Sequence, residues 1–285
     1  MKFSLVLATV ERTEPVEVLL CSLASQTMRD FELVVVDQNS DQRLSPLIAR
    51  YRDRFPIVHL RSSQRGLSRA RNAGLSRASG EILAFPDDDC WYGSPTLLAD
   101  VAARFETRPA LRVLTGCSVD GAGQPSQLRW ESEAGWVTRF NIWHACISYT
   151  IFLRREVAVR IGGFDESLGV GAGTVWGAGE EIDYVLRALE AGFAAWYDPA
   201  LRVNHPQTAV NNDERAVRRS YLYSAGGARV LRRYRYPMWL IGYRLARALA
   251  GSGAALARGD LANARVRWAG LRGSVRGLIG SGATA

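Results

Sequence analysis

Apolar runs of strand length alternate with helical patterns through the first third of the chain, and this alternation constrains the fold most. Residues 3–9 (FSLVLAT) and 31–37 (FELVVVD) are continuous and rich in branched residues, which is typical of strands covered on both faces. Helical spacing follows each strand, and shorter strands are predicted at residues 57–60 and 82–85. The pattern predicts an α/β fold with a mostly parallel sheet flanked by helices.

The rest of the chain continues this pattern less regularly. Residues 120–146 are weakly patterned and rich in Gly, Ser and Trp, so we expect loops there. Strands are predicted at residues 111–119, 147–154 and 193–197, and helices at residues 95–108, 156–161, 181–190, 217–234, 237–249 and 262–278.

Polar side chains stand where the predicted strands end. Thr9, Asp37 and Asp87 each close an apolar run. Ligands of parallel sheets lie outside the carboxyl ends of the strands, so we expect these residues to converge although they are far apart in sequence. The first strand is followed by neither a Gly-rich dinucleotide fingerprint nor a phosphate-binding Gly-Lys-Ser/Thr loop, which argues against dehydrogenases and P-loop enzymes.

Three consecutive acids, Asp87 to Asp89, follow the run at residues 82–85. Adjacent carboxylates repel one another unless a cation or hydrogen-bond donors neutralise them. The spaced pair Asp87 and Asp89 suits a hard divalent ion, Mn²⁺ or Mg²⁺, which commonly shares its ligands with phosphate oxygens. The alternative is an acidic turn that caps the helix starting near Pro95.

The charge is concentrated at the C-terminal end. Fourteen arginines and one acid, Asp260, follow residue 214, whereas the whole chain has a net charge of +8. We therefore predict two regions, a main domain over residues 1–210 and a basic helical appendage over residues 211–285. Basic helices that carry Trp and Tyr fit peripheral binding to an anionic membrane surface, and the alternative is an appendage with solvated arginines. No motif predicts a nucleic-acid partner.

Five stretches in order resemble the family 2 glycosyltransferases of the GT-A fold. They are residues 35–40 (VVDQNS), 66–74 (GLSRARNAG), 85–89 (FPDDD), 162–166 (GGFDE) and 177–189 (GAGEEIDYVLRAL). Together they extend over roughly residues 1–210. The resemblance implies a Rossmann-like, mostly parallel sheet with a C-terminal helical appendage, and transfer of a sugar from a nucleotide-diphosphate donor.

The resemblance also implies roles on the donor side. Asp37 would contact the nucleotide base or ribose, and Gln38 stands where the family pattern has a second acid. Arg71 would face the nucleotide. Asp89 would be the direct metal ligand, and Asp87 would mainly contact the ribose. The predicted donor-binding set is Thr9, Glu11, Asp37, Arg71, Asp87 and Asp88.

On the acceptor side, Glu180 and Glu181 match the acidic pair that begins a helix in the family. The resemblance implies that Glu181 is the general base, with Asp183 as the alternative; acids in a first helical turn also complement the helix dipole. His205 matches a position at which relatives often supply a third metal ligand. The alternative is a structural role. Trp176 would stack on a sugar or belong to a lid, and could equally be a core residue.

These inferences predict a metal-dependent, inverting glycosyltransferase. It would act on a hydroxyl of a glycan or lipid-linked acceptor in cell-surface polysaccharide or glycoconjugate synthesis. We expect a cytoplasmic protein, with peripheral attachment to the inner face of the plasma membrane as an open possibility. The alternatives are a nucleotidyltransferase, which normally has a Gly-rich basic loop after its first strand, and a non-catalytic carbohydrate- or membrane-binding module.

Overall fold

A computed structural model describes residues 2–127, 129–207 and 212–280. Within these residues, eight strands form one sheet. The strands are β1 (Phe3–Thr9), β2 (Phe31–Asp37), β3 (Ile57–Arg61), β4 (Ile82–Ala84), β5 (Leu111–Val119), β6 (Gly135–Trp136), β7 (Ile151–Arg154) and β8 (Ala194–Asn204). The helices are α1 (Glu14–Ala24), α2 (Ser45–Tyr51), α3 (Leu67–Leu75), α4 (Leu97–Thr107), α5 (Arg155–Ile161), α6 (Glu180–Glu190), α7 (Glu214–Arg233), α8 (Met238–Ala257) and α9 (Leu261–Ile279).

The strand order is β3-β2-β1-β4-β7-β5-β8-β6. Strands β1 to β4 run parallel, and β7 pairs antiparallel with both β4 and β5. Strand β8 runs parallel to β5, so it has the same direction as β4. The carboxyl ends of β1, β2, β4 and β8 and the amino end of β7 therefore meet at one edge of the sheet.

The core explains why the first strands are continuous apolar runs. Every residue of β1 and β2 is buried, because helices cover the central strands on both faces. Leu19, Leu20 and Leu23 of α1 pack into the same cluster as Phe3 and Leu33. Pro15 lies in the first turn of α1, where its missing N–H costs no helical hydrogen bond.

Strand β8 is longer than the sequence predicts. It continues through Asp198 and Pro199 to Asn204, where the prediction ended the strand at Tyr197. Tyr197 pairs with Thr115 of β5, and the next pair is Arg202 with Cys117, so four residues of β8 lie between two neighbouring pairs. This bulge takes Pro199, which lacks an N–H, out of the ladder.

The chain divides into two compact units. The first comprises Met1–Arg65, Arg69–Phe164 and Tyr184–Thr208 and contains the sheet. The second comprises Gly66–Ser68, Asp165–Asp183 and Ala209–Ala285. The C-terminal helices thus share their unit with a loop from the middle of the chain. The predicted boundary at residue 210 stays a prediction.

Helix α9 packs against α7 and α8 within the second unit. Gly270, Gly273 and Gly277 lie on the side of α9 that approaches α7. A Cβ atom at Gly273 would lie 2.1 Å from the backbone oxygen of Tyr221, so the two helices are in backbone contact there. Among the residues that the structure describes, no helix is both long and apolar enough to cross a bilayer.

Candidate functional site

The three consecutive acids lie in a turn directly after β4, at the carboxyl edge of the sheet. Asp87 accepts a 2.8 Å hydrogen bond from Nη2 of Arg71 and faces the hydroxyl of Ser148 at 3.3 Å. The Arg71 side chain is 1% exposed, and its guanidinium lies 5.4 Å from the ring centre of Phe164. A buried cation thus holds Asp87 in place, and the contact of Arg71 with the nucleotide stays a prediction.

His205 follows β8 and reaches the same turn. Its Nε2 lies 3.0 Å from Oδ1 of Asp89, and its ring stacks on that of Tyr149. Burial opposes the charged imidazole, but the Asp89 carboxylate outweighs burial and raises the pKa of His205. Burial likewise opposes ionisation of Asp89, yet His205 and Arg12 lower its pKa to about 2. Asp89 is therefore ionised at neutral pH.

Arg12 is a member of this cluster that the sequence did not single out. Its Nη1 donates to Asp88 at 2.9 Å and also contacts Asp89. The hydroxyl of Thr9 donates to the other oxygen of Asp88 at 2.8 Å. Desolvation nevertheless raises the pKa of Asp88 to about 6, against the effects of Arg12 and Thr9. Asp88 is thus bonded to the loop after β1. The only sequence signal for Arg12 was its position in that loop.

Asp87, Asp89 and His205 offer ligand atoms that all lie within 4.8 Å of one another. Two carboxylate oxygens and an imidazole nitrogen are a suitable donor set for Mn²⁺ and related divalent ions. Nδ1 of His205 lies 2.7 Å from the carbonyl oxygen of Pro206 and 3.1 Å from Nε2 of Gln127, and the carbonyl contact suits the tautomer with the proton on Nδ1. In that tautomer Nε2, 3.0 Å from Asp89, carries the lone pair that a metal ligand requires. These residues fit a divalent metal ion.

Asp37, at the end of β2, is fully buried and has partners on both carboxylate oxygens. Oδ2 lies 3.0 Å from Nε2 of His59, and Oδ1 accepts from the backbone and side-chain nitrogens of Asn39 at 2.9 and 2.7 Å. The side chain of Asn39 in turn accepts from the backbone N–H of Glu11 at 2.6 Å. Asp37 therefore organises the loops after β1 and β2. The sequence did not single out His59 as a partner of Asp37, because His59 lies on another strand, β3.

Glu11 stands apart from the buried residues of this edge. Its carboxylate is 63% exposed and pairs with Arg65 at 2.8 Å. Its φ is +61°, a left-handed conformation that is uncommon for a residue with a side chain. Asn39 stabilises this turn by accepting a hydrogen bond from the backbone N–H of Glu11. The contribution of Glu11 to donor binding stays a prediction.

In the second unit, the acids at the start of α6 differ in their surroundings. Asp183 is fully buried, accepts from the Tyr234 hydroxyl at 2.9 Å and pairs with Nη1 of Arg233 at 3.1 Å. Arg233 also contacts Asp165 at 2.8 Å. Glu181 is half-buried, whereas Glu180 is buried near Gly169, where a Cβ would lie 3.1 Å from the Glu180 carboxyl. Asp183 is thus fixed to α7.

Trp176 lies in the core of the second unit. Its side chain is 2% exposed, and the guanidinium of Arg229 lies over its ring at 5.4 Å. Its backbone carbonyl accepts from the N–H of Gly169, which has a φ of +98° and closes this loop. A sugar-stacking or lid role for Trp176 stays a prediction beside its place in the core.

The sequence model of Glycosyl transferase family 2 matches residues 4–162, more than half of the chain. The chain is a family 2 glycosyltransferase. This confirms the resemblance read from the five stretches. In this glycosyltransferase, the matched range contains Asp37, Arg71, Asp87 and Asp89.

Two curated relatives are similar to part of the glycosyltransferase. The poly(ribitol-phosphate) beta-N-acetylglucosaminyltransferase TarS of Staphylococcus aureus is 30% identical over 45% of this chain. That match spans 23% of TarS, about a quarter of its length. The glucosyl-dolichyl phosphate glucuronosyltransferase of Haloferax volcanii is 25% identical over 72% of this chain and 69% of its own.

A solved structure shows the same fold over nearly the whole glycosyltransferase. The mannosyltransferase PcManGT from Pyrobaculum calidifontis, in complex with GDP-Man and Mn²⁺, superimposes with a TM-score of 0.68 at 18% identity. The match covers 99% of this chain and 88% of PcManGT. The predicted GT-A fold, a mostly parallel sheet with C-terminal helices, is confirmed.

Proposed function

We propose that the protein transfers a sugar from a nucleotide-diphosphate donor to an acceptor hydroxyl with inversion at the anomeric carbon, assisted by Mn²⁺ or Mg²⁺. The observation that carries this proposal is the cluster of Asp87, Asp89 and His205 at the carboxyl edge of a family 2 sheet. The complex of PcManGT with GDP-Man and Mn²⁺ supports the same class of donor and ion.

The cluster suggests how the donor is held. Asp89 and His205, with Asp87, would bind the ion; when bound, the ion neutralises negative charge on the departing nucleoside diphosphate. Arg71 fixes Asp87, and Arg12 adds a cation where diphosphate oxygens would gather. The loop ordered by Asp37 would receive the base and ribose. Fixed charges of this kind stabilise the transition state without reorganising during reaction.

For the general base we propose Glu181. A base must reach the acceptor hydroxyl, and Glu181 is the less buried of the two candidates. Asp183 is fully buried and held by Arg233 and Tyr234, so it is less accessible to an acceptor hydroxyl. We assign Asp183 to positioning the first turn of α6.

The acceptor is proposed only by class. TarS is named for poly(ribitol-phosphate) and the Haloferax enzyme for glucosyl-dolichyl phosphate, so both are named for acceptors that contain phosphate esters. A glycan or lipid-linked acceptor in cell-surface glycoconjugate synthesis is therefore proposed here. We also propose that the arginine-rich C-terminal helices contact an anionic membrane from the cytoplasmic side.

The first experiment is a donor screen. Purified protein is incubated with UDP-, GDP- and dTDP-sugars, with Mn²⁺ or with chelator, and released nucleoside diphosphate is measured. Asp89→Ala should abolish the metal-dependent release, whereas the control Asp100→Asn, an exposed carboxylate on α4, should retain it. Full activity of Asp89→Ala in chelator would refute the metal site. In a parallel reaction with a nucleoside triphosphate and a sugar 1-phosphate, release of pyrophosphate would indicate a nucleotidyltransferase instead.

A second experiment separates the two candidate bases. Glu181→Gln should lower kcat by about 10²- to 10⁴-fold, with donor affinity and thermal stability retained. Asp183→Asn should lower the melting temperature, because Arg233 loses a buried partner. If Asp183→Asn instead lost turnover at an unchanged melting temperature, Asp183 would be the base.

A further inference from the structure

The exposed side of helix α8 is uncharged over nearly its whole length. Its large side chains are mostly exposed: Met238 76%, Trp239 68%, Tyr243 59%, Leu249 55% and Leu256 56%. At about 100° per residue these five positions fall within an arc of roughly 140°. Glycines and alanines occupy the other positions of this arc. We call these five residues and the small residues between them the α8 face.

Such a face is unusual for a helix exposed to water. The opposite side of α8 is accounted for, since Ile241, Ser252 and Ala255 are buried. An amphipathic helix normally points its apolar side inward and its charges outward. In α8 the outward side is the apolar one, and contiguous exposed apolar surface marks an interaction site.

Positive charge borders the α8 face. Exposed arginines lie before the helix at Arg235, beside the face at Arg247 and after the helix at Arg258. The sequence contains no acid between Glu214 and Asp260. The partner of this surface must therefore be apolar in the middle and anionic at its border.

This charge pattern disfavours a second copy of the chain as the partner. In a symmetric pair each copy presents the same patch. Antiparallel pairing of two α8 faces would bring Arg235 towards Arg258, and parallel pairing would bring like positions together. Either arrangement places arginines against arginines, with no carboxylate on α8 to compensate.

A bilayer with anionic lipids meets both requirements. Its acyl boundary accepts leucine and methionine, its headgroup layer favours Trp and Tyr, and its phosphates attract arginine. We propose that α8 lies flat on an anionic bilayer, with the α8 face in the headgroup–acyl boundary and Arg235, Arg247 and Arg258 on lipid phosphates. This deepens the proposed membrane contact, replacing a general attraction of basic helices with one defined surface.

The test is co-sedimentation of the full chain with vesicles of phosphatidylcholine alone or with phosphatidylglycerol. The wild type should bind the anionic vesicles, and Leu249→Glu should weaken this binding by about tenfold or more. The matched control is Val159→Glu on α5, a 77% exposed apolar position in the first unit, which should bind as the wild type does. Equal binding of the two variants would overturn the proposal. Glycosyl transfer is not measured, so failure here leaves the proposed reaction untouched.

Two further measurements keep the proposal testable. Sedimentation velocity without lipid should show the same mass for wild type and Leu249→Glu; a wild-type dimer that this variant dissociates, with lipid binding unchanged, would assign the α8 face to self-association. If Leu249→Glu fails to fold, an environment-sensitive dye is attached at Leu249→Cys or Val159→Cys in a Cys21→Ser background. Anionic vesicles should blue-shift only the dye at position 249. Equal spectra at both positions would also overturn the proposal.

Discussion

Glu32→Gln should destabilise the sheet, and the loss should depend on pH in a defined way. Glu32 lies on β2, at the edge of the sheet opposite the acidic turn, and its side chain is 9% exposed. Oε1 accepts from the Ser4 hydroxyl at 2.6 Å and from the Ser79 backbone and hydroxyl at 2.6 and 2.7 Å. Lys2 lies 3.4 Å from the other oxygen. One carboxylate thus joins β1, β2 and the turn before β4.

The magnitude follows from the pKa of this carboxyl group. Burial opposes ionisation, but the hydrogen bonds from Ser4 and Ser79 outweigh it and lower the pKa of Glu32 from 4.5 to about 2. At about 1.4 kcal/mol per pH unit, this lowering corresponds to about 3 kcal/mol of folding free energy. Because the folded-state pKa is the lower one, the contribution is complete above pH 4.5 and is lost as the pH falls towards 2.

Urea unfolding followed by circular dichroism measures this effect. At pH 7 the free energy of unfolding of Glu32→Gln should be about 2 to 3 kcal/mol below that of the wild type, and the difference should shrink at pH 3. The control Glu106→Gln, an exposed acid at the end of α4, should change stability by less than about 0.5 kcal/mol at either pH. A difference that is absent at pH 7, or is as large at pH 3 as at pH 7, would refute the reasoning.

Three other outcomes are expected. Gly273→Ala should lower stability by about 1 to 3 kcal/mol in thermal melts, because its Cβ would meet a backbone oxygen of α7 at 2.1 Å; Gly253→Ala, with open space around it, should be neutral or stabilising. His205→Ala should weaken Mn²⁺ binding by about tenfold or more in titration calorimetry, and unchanged affinity would exclude it as a ligand. His59→Ala should raise the donor KM with little change in kcat, because Asp37 loses the partner of Oδ2; an equal fall in kcat would contradict this.

Continuous apolar runs made the strands predictable from sequence. The limits of β1, β2 and β5 agree with the predicted ones, because these strands are buried on both faces. Residues 148–150 form a 3₁₀ turn where a strand was expected, and β7 starts at Ile151. The short apolar stretch before β7 is compatible with a strand or with a 3₁₀ turn, so its periodicity could not distinguish the two.

The candidate site was predictable only in part, for a geometric reason. Asp87 and Asp89 could be identified from sequence because they are carboxylates that directly follow a buried strand. Arg12 and Ser148 carry no such pattern, and they contribute because their loops meet the turn in three dimensions. The extension of β8 beyond Pro199 was missed as well, since a proline normally ends a strand and the bulge that removes it from the ladder is a tertiary feature.

The direction of β8 has a consequence for how the site is made during synthesis. Asp87 and Asp89 leave the ribosome early, with the first four strands, but His205 follows only after β5 and β7 have been inserted between β4 and β8. The candidate metal-ligand cluster therefore cannot be complete until β8 has been synthesised. Tight metal binding would report that the sheet is complete, and a nascent chain that stops before β8 would carry the acids without their histidine.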